Sequence, residues 1–417
     1  MQRIKELLLS EDTHGYLLAA LLISLPLPYA FSSITTIVLG SLAFFSFLIH
    51  KKVVWKKAYW APFGLFLLMV CSLLWSENVD KSMRGLERQL PFLILPLAFL
   101  FMPTLSKDIW KKVLYRFAVG IALFALFFIA VAAFKYIQNG NREDLFYHGL
   151  VAVFELNAIY VSCMTALSLL YMAFYAKRSW FNVAVAGILF VFLLLLSSKN
   201  MVIVTLLCAF IGFWISKRFF SKKRVLILGV VAIGAVVAFL FSPLKQRMEE
   251  EFTSNVKEVL TCEEFNRVYP WTGTTIRLFQ ARIFYEMANE NDTFLSGFGI
   301  NASQEKIVEK QNHYNLYWGY NVYNFHNQYI QAFSELGVFG FVGILLLLFF
   351  MLKGYLNTRE LFLLFFLIVM ASVFVTESYI WRQRGMLHFL VLYGMMAKIP
   401  LGNTLEKKME ESSQEAE

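Results

Sequence analysis

The segment Asn324-Phe325-His326-Asn327-Gln328-Tyr329 leads directly into an apolar run from Ile330 to Leu352. A run of this length crosses a bilayer as an α-helix, because lipid offers no hydrogen-bond partner to unpaired backbone groups. His326 therefore stands where a polar segment enters a membrane helix, with water on one side and lipid on the other. An imidazole in this position is suited to accept a proton from a hydroxyl group.

The composition extends this interpretation to the whole chain. Of 417 residues, 58% are hydrophobic, 17% are aromatic and only 16% are charged, and the mean hydropathy is +0.58. Such a chain is too apolar for a soluble domain of this length, so we predict an all-α polytopic membrane protein. The apolar runs predict about twelve transmembrane helices, near residues 16–33, 34–50, 61–76, 90–105, 113–137, 152–176, 182–198, 200–216, 225–242, 329–352, 360–378 and 386–399.

The net charge of +9 is distributed in a way that argues against nucleic acid as a partner. The basic residues cluster in every second loop between predicted spans rather than in a stripe on a folded domain. This is the positive-inside pattern, which places these loops and both chain termini in the cytoplasm. The clusters are Lys51, Lys52, Lys56 and Lys57; Lys107, Lys111, Lys112 and Arg116; Lys177 and Arg178; Lys217, Arg218, Lys222, Lys223 and Arg224; and Lys353 and Arg359.

The spans divide the chain into four parts. Residues 1–242 hold predicted spans one to nine, and residues 329–399 hold spans ten to twelve. Between them, residues 243–328 have no spanning run and are predicted to form a long outer-face loop that contains short helices. Ordered loops of this length are usually functional. Residues 400–417 form an acidic tail that we expect to be disordered.

The 243–328 segment contains one strongly patterned stretch, residues 274–287, which predicts an amphipathic helix. Such a helix suits the membrane interface. Arg277 and Gln280 are expected to turn away from its apolar face, which is formed by Ile276, Phe279, Ile283 and Met287.

Three outer-face residues are candidates for chemistry. His326 is a candidate proton acceptor, and the planar guanidinium of Arg277 suits a phosphate or pyrophosphate. Lys199, in Ser197-Ser198-Lys199-Asn200, is a costly charge at the end of an apolar stretch. Structural alternatives stay open for each residue. His326 could have a cap or interfacial role, with Asn324 or Asn327 as capping residues. Arg277 could pair with Glu286 or Glu290 or face water, and the Lys199 side chain could reach the headgroups.

Two further sets of polar residues lie near the last spans. Arg382 and Arg384 violate the charge bias on the outer face, which indicates an anionic ligand, a pair with Glu377 or contact with lipid headgroups. Glu335 lies nine residues into the tenth span and needs a polar partner there. We interpret it as a buried structural contact, beside a Gly337, Gly340 and Gly343 series that is typical of close helix packing.

No metal-binding or nucleotide-binding motif accompanies these residues. The sequence has no DxD-like or histidine-rich outer cluster, no P-loop and no dinucleotide fingerprint. We therefore predict neither a metal nor a cofactor, and we expect the energy for any transfer to come from an activated donor in the membrane.

Several of these motifs together resemble the O-antigen ligase and polymerase superfamily. The similar stretches are Phe325-His326-Asn327-Gln328-Tyr329, Glu335-Leu336-Gly337-Val338-Phe339-Gly340, Thr275-Ile276-Arg277-Leu278, Gly297-Phe298-Gly299, Glu87-Arg88-Gln89-Leu90 and Arg382-Gln383-Arg384-Gly385. The order of long loop, histidine and closing spans is also similar.

The resemblance implies a metal-independent glycosyltransferase with a GT-C-like fold in the bacterial inner membrane, active on the periplasmic side. Its donor would be an undecaprenyl-pyrophosphate-linked glycan. A ligase transfers the glycan to lipid A-core, whereas a polymerase extends another lipid-linked glycan, and the loop and tail motifs favour the ligase.

The resemblance also implies roles by position. His326 would be the general base, and Arg277 would bind the donor pyrophosphate together with Lys199, Arg382 and Arg384. Lys199 stands where family members commonly have arginine. Supporting residues would be Asn327, Gln280 and Glu335.

Two readings from other classes remain open. A lipid or solute transporter would use His326 and Glu335 as a proton relay. A structural membrane scaffold would tolerate the loss of both His326 and Arg277.

Overall fold

The computed structural model describes residues 8–216, 243–266, 269–317, 319–320 and 323–399, and within them the regular secondary structure is helical. The α-helices are α1 Glu11–Ser24, α2 Tyr29–His50, α3 Trp60–Cys71, α4 Val79–Arg88, α5 Pro91–Phe101, α6 Lys107–Asn139, α7 Tyr147–Leu150, α8 Ala158–Phe174, α9 Trp180–Leu195, α10 Lys199–Ile215, α11 Pro243–Thr253, α12 Val256–Thr261, α13 Gly273–Glu290, α14 Gln304–His313, α15 Gln328–Thr358, α16 Leu361–Thr376 and α17 Gln383–Ala397.

Length and composition confirm that the chain is a helical membrane protein. Among the described residues, four helical stretches are long and apolar enough to cross a bilayer: Tyr29–His50, Lys57–Leu74, Lys107–Asn139 and Gln328–Thr358. Four shorter apolar helices accompany them: α8, α9, α10 and α16. The total of twelve spans and the GT-C-like arrangement stay predictions. The predicted span 225–242 and the tail 400–417 lie outside the described residues.

Several predicted span boundaries differ from the structure. The first two spans separate at residues 25–28 rather than 33/34, because Pro26 and Pro28 cannot continue a helix that ends at Ser24. The predicted span 90–105 is an eleven-residue helix that ends at Phe101, before the extended Met102 and Pro103. The predicted span 152–176 becomes an α-helix only at Ala158.

The membrane helices pack around α6, α8 and α15. Helix α6 lies against α1 and α8, and α8 lies against α9. Helix α15 packs on α3 and α16, and α16 also contacts α10. Where α15 meets α3, a Cβ atom on Gly343 would lie 2.4 Å from the Leu65 side chain, so this glycine permits the close packing that the sequence predicts.

The 243–328 segment has a hydrophobic core of its own. Helix α13 begins at a capping box of Thr272 and Thr275. Its apolar residues, together with Val259, Phe265, Phe298, Ile307, Tyr314, Leu316 and Phe325, form one buried cluster. The expectation that this face lies on the membrane interface is therefore wrong, because Ile307 of α14 and the side chains of Tyr314, Leu316 and Phe325 cover it. Gln280, expected to turn away, is also fully buried.

A break in α15 joins this segment to the membrane helices. Gly337 has φ +66° and ψ −161°, which interrupts the helix and frees its carbonyl groups. The backbone N–H groups of Phe298 and Gly299 donate to the carbonyls of Ser334 and Glu335, both at 2.9 Å. We name residues 294–301 the hook. Gly337 therefore does more than allow the close helix packing predicted for it, because the break at this residue lets the hook bind α15.

Candidate functional site

His326 lies at the junction of the 243–328 segment and α15. Its backbone has φ +46°, and its N–H donates to the Asn324 side chain at 2.9 Å. Asn327 is the N-cap of α15, with its Oδ1 3.0 Å from the Ile330 N–H, and its Nδ2 donates to the Val375 carbonyl. The two asparagines thus fix the backbone on both sides of the histidine.

The His326 side chain pairs with Glu377. Its Nδ1 lies 3.3 Å from Glu377 Oε2, and the Glu377 side chain is only 3% exposed. Burial by itself raises the pKa of Glu377, but the hydrogen bond with His326 and the nearby charges of Arg277 and Arg382 outweigh burial and lower the pKa below its usual value. Glu377 is therefore ionised at neutral pH.

This ionisation determines which nitrogen of His326 carries the proton. An ionised carboxylate only accepts hydrogen bonds, so Nδ1 of His326 must be the donor. In a neutral imidazole the other nitrogen, Nε2, then has a free lone pair. The pair is arranged so that His326 offers Nε2 as a base.

His326 and Glu377 line a cavity of about 240 Å³. The same cavity is lined by Glu155, Leu156 and Asn157, the residues that precede α8, and by Tyr160 in its first turn. The remaining lining residues are Leu25, Pro26, Tyr29, Val161, Met164, Arg382 and Arg384. The lining thus combines apolar side chains with charged and hydroxyl groups, which suits a polar group attached to a lipid.

The two arginines of the cavity have different roles. Arg384 is buried, donates to the Leu25 and Leu27 carbonyls at 3.1 and 3.2 Å, and lies 4.0 Å from the centre of the Tyr29 ring. It thereby satisfies carbonyls exposed at the break between α1 and α2. Arg382 is exposed, and no described residue forms a hydrogen bond or ion pair with its guanidinium. Of the two, Arg382 is the one placed to meet an anionic ligand.

Arg277 lies behind Glu377 rather than on the cavity wall. Its Nε donates to the Thr376 carbonyl at 2.8 Å, and its Nη1 donates to the Gly273 carbonyl. The alternative pair with Glu286 or Glu290 is not formed, because these carboxylates pair with Arg282 and Lys310. Arg277 therefore joins α13 to the end of α16, next to the His326–Glu377 pair.

Lys199 also lies outside the cavity wall and forms an ion pair. Its Nζ is 2.6 Å from Glu251 Oε1, and both side chains are about one-fifth exposed, at 22% and 18%. The next residue, Asn200, donates to the Ser372 carbonyl and to Thr376 Oγ1. Thr376 is thus contacted from both Asn200 and Arg277, which brings Lys199 into the same neighbourhood.

Glu335 is a buried structural contact, as expected. Its carboxylate accepts hydrogen bonds from the Asn301 N–H and from Trp381 Nε1, both at 2.7 Å, and from Gln331 Nε2. Gln331 in turn accepts a hydrogen bond from Ser378 Oγ at 3.3 Å. Glu335 thus ties the hook to the loop that carries Glu377.

The sequence interpretation missed two parts of this site. Glu377 was considered only as a partner of Arg382 or Arg384, whereas its hydrogen-bond partner is His326. Residues 155–157 were assigned to a membrane helix, and the one local signal against this was the polar pair Glu155 and Asn157 within an apolar run.

Gln280 lies in the core of the 243–328 segment, and the buried contacts there leave its side chain without a hydrogen-bond partner among the described residues.

Fold and site together define a helical membrane protein in which a histidine–carboxylate pair faces a polar and apolar cavity. The family model of O-antigen ligase matches residues 183–345, a stretch that includes Lys199, Arg277, His326 and the hook. The match confirms the resemblance to the O-antigen ligase superfamily over that stretch, and at the level of the family it indicates a membrane enzyme of ligase or polymerase type. No curated protein matches the chain.

Proposed function

We propose that this protein is a glycosyltransferase of the O-antigen ligase type. It transfers a glycan from undecaprenyl pyrophosphate to a sugar hydroxyl of lipid A-core, on the periplasmic side of the inner membrane. The observation that carries the proposal is the His326–Glu377 pair at the cavity, because it supplies a base with a defined free nitrogen.

The chemistry follows from the contacts. The acceptor oxygen attacks the anomeric carbon of the donor glycan, and its proton passes to Nε2 of His326. The bond between the anomeric carbon and the pyrophosphate oxygen breaks, and its electron pair leaves with the pyrophosphate. Developing negative charge is stabilised by Arg382 at the cavity and by the basic residues Arg277 and Lys199 behind Glu377. General-base assistance of this kind typically contributes about 10²–10⁴-fold in rate.

A polymerase is the second candidate, since the same residues would serve the same bond formation with a different acceptor. Purified protein is given a synthetic polyprenyl-pyrophosphate glycan together with either lipid A-core or a second lipid-linked glycan. Product formed only with lipid A-core supports the ligase, and chain growth without it supports the polymerase. Absence of transfer to either acceptor contradicts both.

A proton-driven transporter is less consistent with the contacts. A relay from His326 to Glu335 along the hydrogen-bonded residues would pass through the Gln331 side chain. A primary amide is not a titratable group, so it interrupts proton transfer. Transport that depends on a proton gradient and is lost in Glu335→Gln would favour the transporter instead.

A further inference from the structure

The Glu251 carboxylate is held by three donors from two distant parts of the chain. Lys199 Nζ lies 2.6 Å from Oε1, Thr272 Oγ1 lies 2.9 Å from Oε2, and the Thr274 N–H lies 3.2 Å from Oε2. Glu251 is partly buried, whereas its neighbours Glu249 and Glu250 are exposed. A single carboxylate therefore connects α11, the start of α13 and the start of α10.

These donors are of the kinds that proteins use to bind phosphate. A lysine ammonium, a hydroxyl group and a backbone N–H at the start of an eighteen-residue helix all match phosphate oxygens. Arg277 borders the same space: a Cβ atom on Gly273 would lie 3.0 Å from Arg277 Nη1 and 3.2 Å from Glu251 Oε1. The absence of a side chain at residue 273 allows the guanidinium and the carboxylate to approach each other.

The location of this cluster connects it to the transfer site. Arg277 donates to the carbonyl of Thr376, the residue before Glu377, so the cluster lies next to the His326–Glu377 pair. A pyrophosphate in contact with Lys199 and the start of α13 would meet the negative charge of Glu251. Like charges at contact distance repel, so the two anions cannot share these donors.

We propose that Glu251 occupies a pyrophosphate site in the resting protein and is displaced from it by the donor. The assignment of the ligand as the donor's pyrophosphate rests on the function proposed above. In the displaced state Lys199, Thr272 and the Thr274 N–H bind phosphate oxygens, and α11 is released from the start of α13. Helix α11 thus acts as an internal competitor that keeps the basic residues paired until a donor arrives.

Inorganic pyrophosphate binding to the purified full-length protein tests this proposal. If Glu251 fills the site about nine-tenths of the time, Glu251→Gln should tighten the apparent Kd for pyrophosphate about tenfold, because apparent affinity scales with the fraction of vacant sites. Glu249→Gln is the matched control, since it removes one negative charge from the same helix at an exposed position paired with Lys245. In isothermal titration calorimetry, the apparent Kd of Glu249→Gln for pyrophosphate should equal that of the wild type. Equal affinities for the two variants, or no binding to Glu251→Gln, would overturn the proposal.

A measurement on the wild type covers the case in which Glu251→Gln does not fold. Saturating pyrophosphate should increase deuterium uptake in residues 248–254 and leave α14 unchanged. Unchanged uptake in residues 248–254 at saturation would also overturn the proposal. Neither measurement uses glycosyl transfer. A protein that binds pyrophosphate as described but transfers no glycan would contradict the proposed function and leave the displacement of Glu251 intact.

Discussion

Nδ1 of His326 and Oε2 of Glu377 lie 3.3 Å apart, although 51 positions separate the two residues in the chain. The contact joins the start of α15 to the loop after α16, so two membrane helices set the orientation of the imidazole. A carboxylate that orients a histidine and stabilises its protonated form is a common partner of a general base.

Glu377→Gln should lower the transfer rate by about 10²–10⁴-fold with a smaller effect on KM, because an amide no longer fixes the proton on Nδ1 or stabilises imidazolium. Steady-state kinetics with a synthetic lipid-linked donor measure both constants. Glu360→Gln is the matched control, since Glu360 flanks the opposite end of α16 and pairs with Lys107. A similar loss in both variants would assign Glu377 a merely structural role.

His326→Asn should abolish transfer while leaving membrane insertion and abundance unchanged. Asparagine tolerates the positive φ of this position but cannot act as a base at neutral pH. Activity on the synthetic donor and the amount of protein in isolated membranes are measured together. Transfer at the normal rate by the purified variant would show that His326 is not the base.

The apolar periodicity and the charge pattern were sufficient to predict a helical membrane protein, the position of His326 and the helix that carries Arg277. They were insufficient where tertiary contacts overrule a local pattern. Residues 155–157 lie at the edge of an apolar run, yet Glu155 adopts φ +50° and Asn157 caps α8, so they line the cavity. Gln280 is polar, but the core of the 243–328 segment covers its side of α13.

The partners of charged residues were also beyond a reading of the sequence. The pairs Lys199–Glu251 and His326–Glu377 each join residues about fifty positions apart, and nothing in local spacing selects one carboxylate over another. The residue type nevertheless carried information, because a charge near a membrane is costly. Lys199 and His326 each have a specific partner, and Arg382 lines the cavity. Arg384 differs from these pairs because it donates to backbone carbonyls, as Arg277 also does.

Arg277→Ala should reduce transfer nearly as much as loss of His326, and Arg277→Lys should restore only part of it. The guanidinium donates to carbonyls on two elements, Gly273 and Thr376, which a single ammonium group cannot reproduce with the same geometry. Transfer rates and thermal unfolding of both variants are compared in detergent. Full activity in Arg277→Lys would show that only the charge matters.

Gly337→Ala should destabilise the protein by about 2–4 kcal/mol and loosen the hook. A Cβ atom there would lie within 2 Å of the Leu295 carbonyl oxygen, and φ +66° is unfavourable for alanine. Thermal unfolding and proteolysis of residues 294–301 report the change. Gly64→Ala is the control, because its Cβ position within α3 is open. An unaltered melting temperature for Gly337→Ala would contradict the role assigned to the break.

Glu251 should make stability depend on pH in the acid range. Burial raises the pKa of Glu251, but the hydrogen bonds from Lys199, Thr274 and Thr272 and the charge of Lys199 outweigh burial and lower the pKa to about 2. An unfolded glutamate titrates near pH ~4.3, so the ionised carboxylate stabilises the folded state above that pH. This contribution is lost as the pH falls from about 4.3 towards 2.

The unfolding temperature of the wild type should therefore exceed that of Glu251→Gln at pH 7, and the difference should shrink steadily below pH 5. Glu249→Gln removes an exposed carboxylate, so its unfolding temperature should match that of the wild type at every pH. A difference between wild type and Glu251→Gln that stays constant down to pH 3 would mean that the Lys199–Glu251 contact does not depend on the charge of the carboxylate.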